Sequence, residues 1–194
     1  MATFIDEFMK TMGPQVGKQM AATLGINKNT AMQILPQVAP LILGGLKNQM
    51  QNYGGEARVD HILNKYGSAS VLDNIGGLFS QKATQSNPDP RLGGLLGESG
   101  VQAANLLAKQ FNLNQNTAMQ IIPMLAPVIL GALTKKRDVG GAGSSGIAAL
   151  LDQDGDGSIL DDVAGFLMSG LAGSGGQKSS PLGSLLGGLF GKRR

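Results

Sequence analysis

Apolar residues recur at helical spacing in two long stretches of the chain. Leu35, Val38, Ile42 and Leu46 form one series, and Ile122, Leu125, Ile129 and Leu133 form the other. Each series puts an apolar stripe on one side of a helix, so both helices are expected to be buried on that side. A shorter helix is expected before each, over 14–24 and 101–111, with Pro14 in a first turn where its missing amide proton costs nothing. Between each pair lies "NKNT" or "NQNT". Asn27 or Asn29, and Asn114 or Asn116, are candidate N-caps because an asparagine side chain accepts hydrogen bonds from the free amides of the next turn. Downstream, a short helix pair is expected in each half, about 57–65 with 71–80 and about 146–152 with 159–170. Strand patterns are nearly absent, and the expected class is all-α.

The two stretches are copies of each other. "INKNTAMQILPQVAPLILGGL" at 26–46 matches "LNQNTAMQIIPMLAPVILGAL" at 113–133 in 14 of 21 positions at an offset of 87. At an offset of 88 a weaker match continues, with "ILNKYGSASVLDNIGGLF" at 62–79 against "LLDQDGDGSILDDVAGFL" at 150–167. Repeats of this length point to two related helical units. The boundaries expected are a first unit over 1–81, a linker over 82–92, a second unit over 93–172, and a Gly/Ser linker with an apolar Gly/Leu-rich tail over 173–194. Pro36 and Pro40, like Pro123 and Pro127, stand inside the apolar stripes. Each removes a helical hydrogen bond, so a kink or a split is expected there, with a fixed bend favoured over a hinge.

Composition narrows the core. Of 194 residues 30 are glycine, aromatics are scarce and none is cysteine or tryptophan, so the interior must be built mainly from Leu, Ile, Val, Met and Ala, and neither disulfides nor thiolate metal sites can form. The net charge of +3 is small and spread out, without the basic stripe and interleaved aromatics of a nucleic-acid binder, so no nucleic acid is expected as a partner. Asp6 and Glu7 interrupt the start where an export signal would be apolar, which makes the cytoplasm the expected location. The charge-free apolar run 121–133 falls short of the roughly 20 residues of a membrane span, so no transmembrane segment is expected.

One segment concentrates chemistry. "LDQDGDGSILDD" at 151–162 holds five aspartates, and the three that alternate at Asp152, Asp154 and Asp156 can converge on one centre if the chain curls around it. With Gly157 they reproduce the first half of an EF-hand loop, and Ser158 would offer its backbone carbonyl. The pattern then departs. Val163 stands where a bidentate glutamate is usual, and the acids come early, at Asp161 and Asp162. The loop resembles compact D-x-D-x-D-G calcium loops of bacterial proteins, in which Asp161 would complete the shell and Asp162 would lie behind it or face solvent. A turn with two aspartates on a helix dipole is the plainer account, but it leaves the mutual repulsion of the alternating three uncompensated. Calcium is the expected ion, with magnesium second, because several carboxylates in a flexible oxygen shell suit the larger cation.

No catalytic set accompanies this loop. "GAGSSG" at 141–146 matches a dinucleotide-binding glycine pattern but follows no strand, and G-x-S-x-G does not occur. His61 is the single histidine, has no acid and nucleophile around it, and is expected at the surface. The aligned first loop offers Asn64, Tyr66, Ser68 and Ala69 where the second has Asp152, Asp154, Asp156 and Gly157, and only Asp73 keeps an acid, opposite Asp161. It is expected to be closed by Ile62, Leu63, Val71 and Leu72 rather than by an ion.

The "NTAMQILPQVAPLILGGL" and "NTAMQIIPMLAPVILGAL" blocks, the "LDQDGDGSILDDVAGFL" segment and the "LGSLLGGLFG" ending together resemble the bacterial YidB-like proteins of unknown function. The resemblance implies a bacterial source and a helical fold, and it lends no activity. The expected role is a non-enzymatic calcium-binding protein of structural or self-assembling kind, with homo-oligomer formation through the tail. The alternatives are an enzyme with a site between the repeats and a protein that touches a membrane surface through its tail.

Overall fold

The computed structural model describes residues 3–140, 146–148 and 151, and every element among them is helical. The first helix, α1 (Phe4–Thr11), starts from a reciprocal cap. The Asp6 amide donates to Thr3 Oγ1 at 3.1 Å and the Thr3 amide donates to the Asp6 carboxylate at 2.9 Å. Phe4 and Phe8, one turn apart, are buried with their rings stacked. Helix α2 (Gly13–Leu24) carries Pro14 in its first turn and ends at Gly25, whose φ of +65° is open to glycine without strain. The Ile26 amide then reaches back to the Ala21 carbonyl. At the end of α6 (Glu98–Gln110), Asn112 takes the same left-handed turn with φ +49°, and the Leu113 amide returns to Ala108.

Two 25-residue helices form the centre, α3 (Lys28–Asn52) and α7 (Gln115–Val139). Asn27 caps the first by accepting from the Asn29 amide, and Asn114 caps the second by accepting from the Thr117 amide. This decides between the two asparagines in each block. All eight residues of the expected stripes are at most 1 % exposed. The four prolines lie inside these helices without dividing either. Each proline forfeits a bond and about 3 kcal/mol in an isolated helix, and close packing of the flanking residues, from Leu35 to Ile42 and from Ile122 to Ile129, holds the backbone helical through them.

Continuity also changes the length of the apolar segment. By length and composition α7 could cross a bilayer, yet 72 % of its most apolar window is buried inside the protein, as expected of a core helix. It packs against α6, α3, α4 (Gly55–Tyr66) and α5 (Ile75–Ala83), while α3 packs against α1, α2, α4 and α7. One hydrophobic cluster runs from Phe4 to Leu151 through all of them.

Three local features differ from the sequence expectation. Helix α6 begins at Glu98, before 101. The segment 71–80 is two elements, a 3₁₀ turn over Ala69–Asn74 and then α5, because Asn74 leaves the helical region at φ −141° and accepts from the Gly77 amide as a cap. Val71 and Leu72 are only half-buried, and the residues that close the helix pair are Ile62, Leu63, Ile75 and Phe79, each at most 4 % exposed.

Candidate functional site

The chain enters its acidic segment from the core. Residues 146–148 and 151 are helical, and Ile147 and Leu151 are 2 % and 7 % exposed within the hydrophobic cluster. Asp152 follows directly. The candidate ligands Asp152, Asp154, Asp156, Ser158, Asp161 and Asp162 lie outside the described residues, as do the linker and tail over 173–194.

The equivalent positions of the first half are described. Asn64 and Tyr66 occupy the last turn of α4, and Asn64 Oδ1 accepts from Arg137 Nη2 at 3.0 Å. Tyr66 is exposed, with the Lys65 ammonium 5.2 Å from the centre of its ring. Ser68 and Ser70 share a hydroxyl hydrogen bond of 2.7 Å, and Asp73 is exposed. These polar groups bond across helices or at helix ends, and among the described residues no three acids, histidines or cysteines gather to hold a metal. His61 is exposed on α4.

What locates this loop is contact with α7. A Cβ added at Gly67 would come within 2.8 Å of the Leu130 carbonyl oxygen and 2.9 Å of Thr134 Oγ1. A Cβ at Gly131 would come within 2.7 Å of the Ser68 carbonyl oxygen and 2.9 Å of Val71 Cγ2. Both surfaces therefore need glycine, since a methyl group would force the backbones apart. The helix pair that follows α3 in sequence thus seats on the other long helix.

Arg137 lies near this crossing and Lys47 is buried on α3, and periodicity alone did not single out either cation. Arg137, at the end of α7, donates from Nη1 to Asp60 at 3.1 Å, from Nη2 to Asn64, and from Nε to Asp138 at 2.8 Å. The hydrogen bond to Asp138, and behind it that to Asp60, raises the Arg137 pKa above its ordinary value against the opposing effect of burial, so the guanidinium stays charged. Lys47, on α3, is 4 % exposed, beside Gln49, which accepts from Arg58 Nε at 3.0 Å. The available sequence signal was phase: Lys47 directly follows the stripe residue Leu46, and the duplication aligns it with Thr134, itself 6 % exposed.

The family model for bacterial proteins of unknown function (DUF937) matches residues 6–136. No curated protein and no solved structure gives a significant match to the chain.

Proposed function

The chain belongs to this bacterial family, and from that premise we propose a non-catalytic, divalent-cation-binding protein in which two related helical units surround one core and the second unit carries the ion. Asp152, Asp154, Asp156 and Asp161 supply carboxylates and Ser158 its backbone carbonyl, with Asp162 behind them. Calcium is preferred over magnesium for the same reason of shell size and flexibility. The ion staples the two short helices expected on either side of it, and the apolar tail mediates self-association.

The observation that carries this proposal is the burial of Leu151 at 7 % exposure, together with that of Ile147. A helix pinned to the core immediately before Asp152 restricts where the first carboxylate can go, and a pre-positioned ligand makes cation binding less costly in chain entropy. The first unit supports a division of labour between the copies. Its own loop is closed by Ile62, Leu63, Ile75 and Phe79.

Calorimetric titration of the purified chain with calcium and with magnesium tests the proposal. One calcium per chain is expected, and replacing Asp152 and Asp156 with alanine abolishes it. Hydrogen exchange then rises across 146–170 and stays unchanged across 57–80. Two ions per chain, or binding that survives the double substitution, overturns the proposal.

A further inference from the structure

We propose that Met32 is a site of oxidation by hydrogen peroxide, and that its conversion to the sulfoxide loosens α2 from α3. The chain holds nine methionines and no cysteine, so its sulfur redox chemistry is that of the thioether alone. One of these thioethers is wedged between two helices. A Cβ built on Gly17 of α2 would lie 2.5 Å from Met32 Sδ and 3.3 Å from Met32 Cγ, with Leu35 Cδ1 at 3.7 Å. The sulfur of an α3 residue thus fills the notch that the absent side chain leaves in α2. Met32 is half-buried and keeps contact with solvent, whereas Met20 and Met124 are fully buried.

A second thioether touches the same face of α2. Gly13 and Gly17 are one helical turn apart and both buried, and a Cβ on Gly13 would lie 3.4 Å from Met9 Cε and 3.7 Å from Met9 Sδ. Met9 is therefore in ordinary contact with its glycine, while Met32 Sδ sits inside the space a side chain would take. Among the described elements, the most extensive contact of α2 is with α3, so the notch lies in the surface that holds α2 in place. The duplication supplies a contrast. At the offset of 87, Met32 corresponds to the half-buried Met119 and Gly17 to the fully buried Ala104. The methyl group of Ala104 takes up the space equivalent to the notch, so the wedged thioether is particular to the first copy.

The chemistry is a two-electron oxygen transfer. A lone pair of Met32 Sδ attacks one oxygen of the peroxide, the O–O bond breaks as the S–O bond forms, and the proton on the transferred oxygen passes to the departing hydroxide, which leaves as water. Sulfur is oxidised and the peroxide is reduced. The product carries a polar oxygen on an atom that already fills the notch. Burying that acceptor without a donor is unfavourable, and turning it out to water gives up the packing of Met32 on Gly17 and Leu35. Either outcome weakens the seat of α2 on α3.

Hydrogen peroxide added to the folded full chain, with chelator present to suppress metal-driven oxidation, tests this. Peptide mass spectrometry is expected to find Met32 converted to the sulfoxide severalfold faster than Met20 and Met124. Hydrogen exchange across 13–24 is expected to rise in step with Met32 conversion, while exchange across 98–110, beside Met119, stays as it was. Met32→Leu, a substitution of similar volume, is expected to abolish the rise across 13–24 although Met9 and Met119 still oxidise. Conversion of Met32 no faster than that of Met20 and Met124 overturns the proposal, as does unchanged exchange across 13–24 once Met32 is oxidised. An equal rise in the Met32→Leu chain also overturns it, by assigning the loosening to another methionine. The two readings on the native chain decide the matter even if Met32→Leu does not fold.

Discussion

Arg137 Nη1 meets Asp60 Oδ1 at 3.1 Å, joining the end of α7 to the middle of α4 across 77 positions of sequence. With side-chain exposures of 14 % and 28 %, both partners are largely withdrawn from water. The contact therefore ties the first half's helix pair to the second half's core helix in a setting where a charged hydrogen bond counts. Arg137→Met is expected to lower unfolding free energy in urea by about 1.5–3 kcal/mol, with Asp60→Asn costing less because Asn64 and Asp138 still receive the guanidinium.

The glycine crossing is expected to be intolerant of a single methyl group. Gly131→Ala forces the Ser68 backbone and the Val71 side chain away from α7, and overpacking of this kind costs about 1–3 kcal/mol. Gly25→Ala, by contrast, meets no atom within 4 Å and loses only through its φ of +65°. Thermal melts of the two variants separate a packing cost from a backbone cost.

The residues that close the first helix pair can be ranked by truncation. Leu63 has 0 % exposure, and Leu63→Ala is expected to cost about 2–5 kcal/mol. Leu72 is half-buried, and Leu72→Ala is expected to cost clearly less. Equal losses in denaturant would place the closing contacts at the 3₁₀ turn instead of the two helices.

Acid is expected to fray α1 first at its cap. The Asp6 carboxylate accepts from the Thr3 backbone amide, and this bond, followed by the Thr3 side-chain bond, lowers its pKa below the ordinary 3.8. A depressed folded value means the cap's contribution is complete above the unfolded pKa and is lost as pH falls through the lower folded one. The protection of the Thr3 and Glu7 amides from exchange, taken relative to the intrinsic exchange rate at each pH, should fall below pH 3.8 in the native chain. That relative protection should be nearly pH-independent there in Asp6→Asn.

Self-association through the tail predicts a change in mass. Removing the residues after Gly173 is expected to lower the oligomeric state measured by light scattering. An unchanged mass assigns the tail to its own chain.

Much of the local structure was legible because it depends on neighbours in sequence. The burial of Leu35, Val38, Ile42 and Leu46 follows from spacing, and the starts of α3 and α7 follow from asparagine chemistry, since a cap bonds two or three residues away. The T-x-x-D signal for α1 is also local, since Thr3 and Asp6 cap each other across three residues. The candidate ion ligands, from Asp152 to Asp162, were legible as a pattern of charges, and they lie outside the described residues.

The sequence by itself determined the all-helical class, the apolar stripes and the duplication, because side-chain period and internal identity are properties of the chain alone. Only the tertiary structure decided that α3 and α7 run unbroken through their prolines. It alone decided that α4 and α5 seat on α7, and that Arg137 finds Asp60 and Asn64. Those outcomes depend on which surfaces fit. Gly67 and Gly131 are separated by 64 positions, and nothing local to either says that the backbones of Leu130 and Ser68 will lie against them.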